Sequence, residues 1–129
     1  MDNIRSHSIK SLLSAAMSAK NGTGHFIWQR LTALVLIPLV LWFCLSIAFL
    51  PDASYATAIS WLSSPFNAVL MLVTLVSGFY HGALGLQTIF EDYISSESTR
   101  HKVILISNVL LFLFAAVGIY SVLKIAFTS

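Results

Sequence analysis

Three long apolar runs free of Asp, Glu, Lys and Arg organise the chain, at residues 31–50, 53–90 and 103–123. A helix rises about 1.5 Å per residue, so roughly 20 residues cross a hydrocarbon core of about 30 Å. Each run is long enough to span. The pattern places the first span from about Trp28 to Leu50, with Pro51-Asp52 as its stop and Pro38 expected to bend it. A short loop from Pro51 to Ser64 carries Tyr55 and Trp61, residue types suited to a membrane–water interface. Ser63-Ser64-Pro65 reads as a helix cap followed by proline at the first helical position, which starts a second span running to about Phe90. Residues 91–102 form a polar connector, and the third span covers roughly Lys102 to Phe127. The expected fold is all-α: an integral membrane protein of three transmembrane helices. Residues 1–27 form an N-terminal arm holding a possible short interfacial helix, and residues 28–129 the three-helix transmembrane domain.

Composition supports this division. Hydrophobic residues make up 57% of the 129 positions and charged residues 9%, against about 25% charged in an ordinary soluble domain. The net charge of +2 and the lack of any basic cluster speak against a nucleic-acid partner. Cys44, the single cysteine, lies within the first apolar run and has no partner for an internal disulfide. The first strong apolar run begins too late for a cleaved secretory signal. Orientation follows from lysine and arginine near the span ends. Arg5, Lys10, Lys20 and Arg30 precede or open the first span, Arg100 and Lys102 lie in the second connector, and only Lys124 lies on the opposite side. The N-terminus and second connector are therefore expected on the cytoplasmic (or matrix) side.

The second span carries the chemistry. His81 is the only histidine within the expected spans, and ionisable side chains inside a membrane face a bundle interior, a partner or a cofactor. A neutral imidazole in an interhelical hydrogen bond is one reading. The other is an axial haem ligand, because Gly78, Gly82 and Gly85 share one helix face beside it. Small residues at that spacing admit a neighbouring backbone or clear room for a flat macrocycle. A six-coordinate haem would take its second ligand from another subunit. Asp92 and Tyr93 end the same segment. They read either as an acidic loop beside an aromatic-belt tyrosine or as a quinone site, with a hydroxyl donating to a carbonyl oxygen and a carboxylate relaying protons. Arg30 reads as an anchor snorkelling to headgroups or as a clamp on a propionate or partner carboxylate. His25 and Trp28 share its zone as interfacial anchors or docking contacts, and His7 and His101 are expected in water.

Two segments carry a resemblance: Gly24-His-Phe-Ile-Trp-Gln-Arg-Leu-Thr-Ala33, and His81-Gly-Ala-Leu-Gly-Leu-Gln-Thr-Ile-Phe-Glu-Asp-Tyr93. From about Gly22 to its end the chain resembles the smaller hydrophobic anchor subunit of bacterial succinate dehydrogenase, respiratory complex II. The resemblance implies a four-subunit complex of the tricarboxylic acid cycle and respiratory electron transport. In it a flavoprotein subunit oxidises succinate and an iron-sulfur subunit passes electrons to the membrane. This chain and a larger cytochrome b anchor subunit hold haem b and form a ubiquinone site in the bacterial cell inner membrane, or its mitochondrial counterpart. By the same resemblance His81 is one axial ligand of the haem b iron, Tyr93 binds the quinone with Asp92 in support, and Arg30 lies near the haem propionates and the iron-sulfur subunit. The chain is non-catalytic alone. A reading from another class is a haem-free membrane scaffold or small transporter component.

Overall fold

The computed structural model describes residues 2–128, with side chains at 9–12, 14 and 24–128. The expectation for His7 falls on a side chain outside that set. Four helices follow in chain order: α1 (Asp2–Ala48), α2 (Tyr55–Ser63), α3 (Pro65–Tyr93) and α4 (Glu97–Thr128). The fold is all-α, with no strand among the described residues. Three stretches are long and apolar enough to cross a membrane: Gly24–Ala48, Pro65–Tyr93 and Glu97–Thr128.

The helix ends differ in detail from the expected ones. Hydrophobicity reports where lipid stops, whereas a helix continues until something caps or breaks it. Nothing in Glu91-Asp92-Tyr93 does so, and α3 runs on to Tyr93, where the Ile94 amide closes onto the Phe90 carbonyl at 3.0 Å. In α4 the Arg100 amide reaches the Ser96 carbonyl at 2.9 Å, so the helix opens before the apolar run begins. α1 continues through Pro38, which supplies no amide to the Leu34 carbonyl one turn back.

The first loop holds an element the apolar pattern does not separate. Asp52, Ser54 and Thr57 build the start of α2. The Ser54 amide and the Thr57 hydroxyl donate to Asp52 Oδ1 at 2.9 and 2.7 Å, and the Thr57 amide donates to Ser54 Oγ at 3.2 Å. Ser64 closes α2 and opens α3, with Pro65 in the first helical turn as expected, although the Ser64 side chain makes no capping bond.

Residues Met1–Leu31 and Thr32–Ser129 form two compact units. In the first, the Arg30 guanidinium lies over the Phe26 ring, 5.0 Å from its centroid. In the second, α3 packs along α4, and α2 touches both. At Gly118 a Cβ would lie 3.4 Å from Leu75 Cδ1, so the glycine lets the α3 side chain reach the α4 backbone. Trp61 of α2 stacks on Trp42 of α1 at 5.4 Å between centroids and meets Phe43 edge-on. Asn67 Nδ2 donates to the Trp61 carbonyl at 3.0 Å, tying α2 to α3. Among the described hydrophobic residues only Leu39, Ala68, Leu84 and Val122 are buried, while Phe112 is 73% exposed and Leu105 65%. Apolar surface on this scale is stable against lipid and partner helices, not against water.

Candidate functional site

The side chain of His81 lies half-buried in the interior of the second span, twelve residues before the end of α3. At helical rise that is about 18 Å inside it. Its Nδ1 lies 3.0 Å from Thr32 Oγ1 on α1. Other hydroxyls in the spans turn back onto their own helices: Thr74 to the Leu70 carbonyl, Thr88 to Leu84 and Ser121 to Val117. Thr32 reaches across to a second helix.

One hydrogen bond leaves one ring nitrogen. Nε2 of His81 has no hydrogen-bond partner among the described residues. A neutral imidazole carries one proton, so a protonated Nδ1 leaves a lone pair on Nε2. In that tautomer an interhelical hydrogen bond and a lone pair would coexist on His81.

The glycine face beside it is open. A Cβ placed on Gly82 or Gly85 would meet nothing within 4 Å, and one on Gly78 would meet only Leu36 Cδ2 at 3.9 Å. The small residues of α3 at 82 and 85 are thus not filled by another helix of this chain. On the adjoining side, Thr74, Leu75, Gly78, Phe79, Gly82 and Leu111 line an apolar hollow of about 330 Å³. A flat apolar group or a partner helix fits such a face, and the free Nε2 fits an iron centre. The donor set is compatible with haem.

Asp92 and Tyr93 form the last two positions of α3, both exposed, with Tyr93 at 84%. Neither side chain has a hydrogen-bond partner among the described residues. Asp92 follows His81 by eleven residues, which is close to three turns, so both lie on one side of α3 about 16 Å apart along its axis. Nearby, Gln87 Nε2 donates to Glu91 Oε1 at 3.0 Å, and Arg100 Nη1 donates to the Ile94 carbonyl at 3.4 Å across the connector. Arg30 and His25 belong to the Met1–Leu31 unit. There His25 falls in the first turn of the span and its Nε2 is buried with no partner among the described residues. His101 is exposed, 3.6 Å from Glu97.

Comparison with known proteins decides the family. A profile of the succinate dehydrogenase/fumarate reductase transmembrane subunits matches residues 5–117. The chain belongs to that family. It is similar to the succinate dehydrogenase hydrophobic membrane anchor subunit of Rickettsia bellii (strain RML369-C), with 34% identity over 109 residues, or 84% of this chain and 78% of the relative. The corresponding subunit of Rickettsia conorii (strain ATCC VR-613 / Malish 7) is 34% identical over 90 residues, 69% of this chain and 71% of that one. The succinate dehydrogenase membrane anchor subunit of Reclinomonas americana is 31% identical over 84 residues, covering 63% and 70%. As a family member with three apolar spans, this chain is a multi-pass inner-membrane protein with the role of a membrane anchor subunit of succinate dehydrogenase.

The family and three spans answer to the sequence pattern. Thr32 does not: it lies within the segment that carries the resemblance, yet only His25, Trp28 and Arg30 of that segment drew a role. The available signal was that a hydroxyl inside a span needs a partner, and His81 is the strongest one a facing span offers.

Proposed function

We propose that this chain anchors the flavoprotein and iron-sulfur subunits of a succinate:quinone oxidoreductase, supplies one axial ligand to haem b, and forms part of the ubiquinone reduction site. The supporting observation is His81, whose Nε2 is left free by the bond at Nδ1 beside an open glycine face. His81 would hold the iron, with a second ligand coming from a larger cytochrome b anchor subunit. Haem b, when bound, supplies a one-electron carrier within the membrane. With its N-terminus cytoplasmic, the chain presents the end of α3 to the side where the iron-sulfur subunit docks.

Reduction of ubiquinone to ubiquinol takes two electrons and two protons. Tyr93, exposed at the end of α3, donates its hydroxyl proton in a hydrogen bond to a quinone carbonyl oxygen, which stabilises negative charge developing there. Asp92, exposed beside it, exchanges protons with water and passes them to the site. Arg30 holds a haem propionate or a carboxylate of the iron-sulfur subunit. Succinate oxidation itself belongs to the flavoprotein, and the electrons link the tricarboxylic acid cycle to respiration.

A reduced-minus-oxidised optical spectrum of the complex that co-purifies with this chain tests the proposal. A b-type band beside flavin and iron-sulfur signals is expected, and it should fall in His81→Ala. An intact complex without haem would keep the anchor and remove the ligand role. A second reading, a haem-free scaffold or small transporter component, draws on the Thr32–His81 bond, since a bond of that kind is all it asks of His81. It leaves the free Nε2 and the open faces of Gly82 and Gly85 without a purpose.

A further inference from the structure

Thr32 stands in a particular relation to the proposed ligand. Its Oγ1 is 3.0 Å from His81 Nδ1, on a different helix, in a part-buried setting 49 residues away in sequence. A hydroxyl can donate or accept, and the imidazole tautomer decides which. A proton on Nε2 would have no acceptor among the described residues. A proton on Nδ1 points at the Thr32 oxygen and leaves Nε2 its lone pair. With Thr32 as the acceptor, the bond would select both the ring nitrogen that can ligate and the rotation of the ring about its χ angles.

Resting on the haem-ligand role of His81, we propose that Thr32 is the positioning residue of that ligand: its Oγ1 accepts the Nδ1–H bond, commits Nε2 to the iron, and tunes the haem. An acceptor on Nδ1–H makes the imidazole a stronger donor to iron. Stronger donation stabilises the ferric state, and the midpoint potential falls. The setting strengthens the effect, because at part-buried depth within a span little water competes for the proton. The same bond joins α1 to α3, so the pairing of those helices and the aim of the ligand share one contact. Thr32 does not touch the iron or the quinone.

The test compares Thr32→Val, Thr32→Ser and His81→Ala in the whole purified complex, with flavin and iron-sulfur content confirming assembly. Valine keeps the shape of threonine and removes the acceptor, whereas serine keeps the acceptor and removes a methyl group. Two readouts apply: the haem midpoint potential by optical redox titration, and the g values of the low-spin ferric haem by electron paramagnetic resonance, which respond to ring orientation. The expected result is an upward shift of the potential and altered g values in Thr32→Val, with both restored in Thr32→Ser. Wild-type potential and g values in Thr32→Val would overturn the proposal. Any valine effect that serine fails to reverse would also overturn it, by tracing the effect to shape. Should valine prevent assembly, Thr32→Ala is read in its place by the same criteria. Full haem content in His81→Ala would instead overturn the ligand role on which the proposal rests, so the two failures are distinct.

Discussion

Thr32 and His81 meet across two transmembrane helices, with 3.0 Å between the hydroxyl oxygen and the imidazole Nδ1. One side chain thereby serves two ends. It satisfies a polar group within a span, and it leaves the other ring nitrogen without a hydrogen-bond partner among the described residues, on a helix where Gly82 and Gly85 face open space. Interhelical hydrogen bonds of this kind contribute only about 0.6 kcal/mol in measured membrane proteins. So small a contribution leaves the three-helix fold standing when the bond is lost.

That magnitude separates ligand from scaffold in His81→Ala. Membrane insertion and co-purification with the soluble subunits should persist, while the haem-to-flavin ratio of the complex drops severalfold or more. The ratio is read from the optical spectrum against flavin fluorescence. A ratio equal to wild type would show that the iron takes its ligand elsewhere.

Tyr93 offers a cleaner separation, because it is 84% exposed and its removal leaves no cavity. Tyr93→Phe should lower quinone reductase activity by about 100- to 1000-fold, the range for losing one hydrogen-bond donor to a developing oxyanion. Succinate oxidation with a soluble artificial acceptor should stay unchanged, since it bypasses the membrane site. Equal loss of both activities would point to failed assembly.

The glycines of the bundle divide into two kinds. Gly118 is in packing contact, with Leu75 Cδ1 3.4 Å from where a Cβ would sit, whereas Gly82 faces nothing. Gly118→Ala should therefore be nearly neutral and Gly118→Leu should loosen α3 from α4, seen as a lower midpoint in thermal unfolding in detergent. Gly82→Leu should leave the isolated chain's helicity and insertion untouched yet reduce haem content in the assembled complex. Wild-type haem content in Gly82→Leu would exclude this face as the haem cradle.

Much of the architecture was legible because the membrane imposes one simple requirement: long charge-free runs can only be spanning helices. His81 was legible as a candidate for a related reason, since an ionisable group at that depth needs a partner, whereas Asp92 and Tyr93, exposed at the end of α3, drew a definite role only from the resemblance. Hydropathy averages over local capping, and this hid α2, which begins in a hydrogen-bonded turn of Asp52, Ser54 and Thr57 and then continues into the charge-free run 53–90. The role of Thr32 was hidden differently. Spacing along one helix says which residues share a face, but a contact between Thr32 and His81, 49 positions apart, belongs to tertiary packing. Nor does any pattern in the chain reveal whether a glycine faces a helix, as Gly118 does, or open space, as Gly85 does.

The turn that opens α2 carries its own pH dependence. The Ser54 hydroxyl, the Thr57 hydroxyl and the Ser54 amide hold the Asp52 carboxyl down at about 2, from an ordinary 3.8. Hydrogen bonds to the charged form favour it. A carboxyl whose pKa is lowered by folding binds protons more readily when the turn is open, so the turn gains stability as pH rises. Its contribution is complete above the unfolded value of 3.8 and fades as pH falls toward about 2. Hydrogen exchange of the α2 amides, corrected for the intrinsic rate at each pH, should show constant protection from pH 7 to about 4 and a decline below it. Asp52→Ala should lose part of that protection at neutral pH and flatten the decline, since the titrating acceptor is gone. A decline of the same size in the variant would assign the acid sensitivity to another carboxyl.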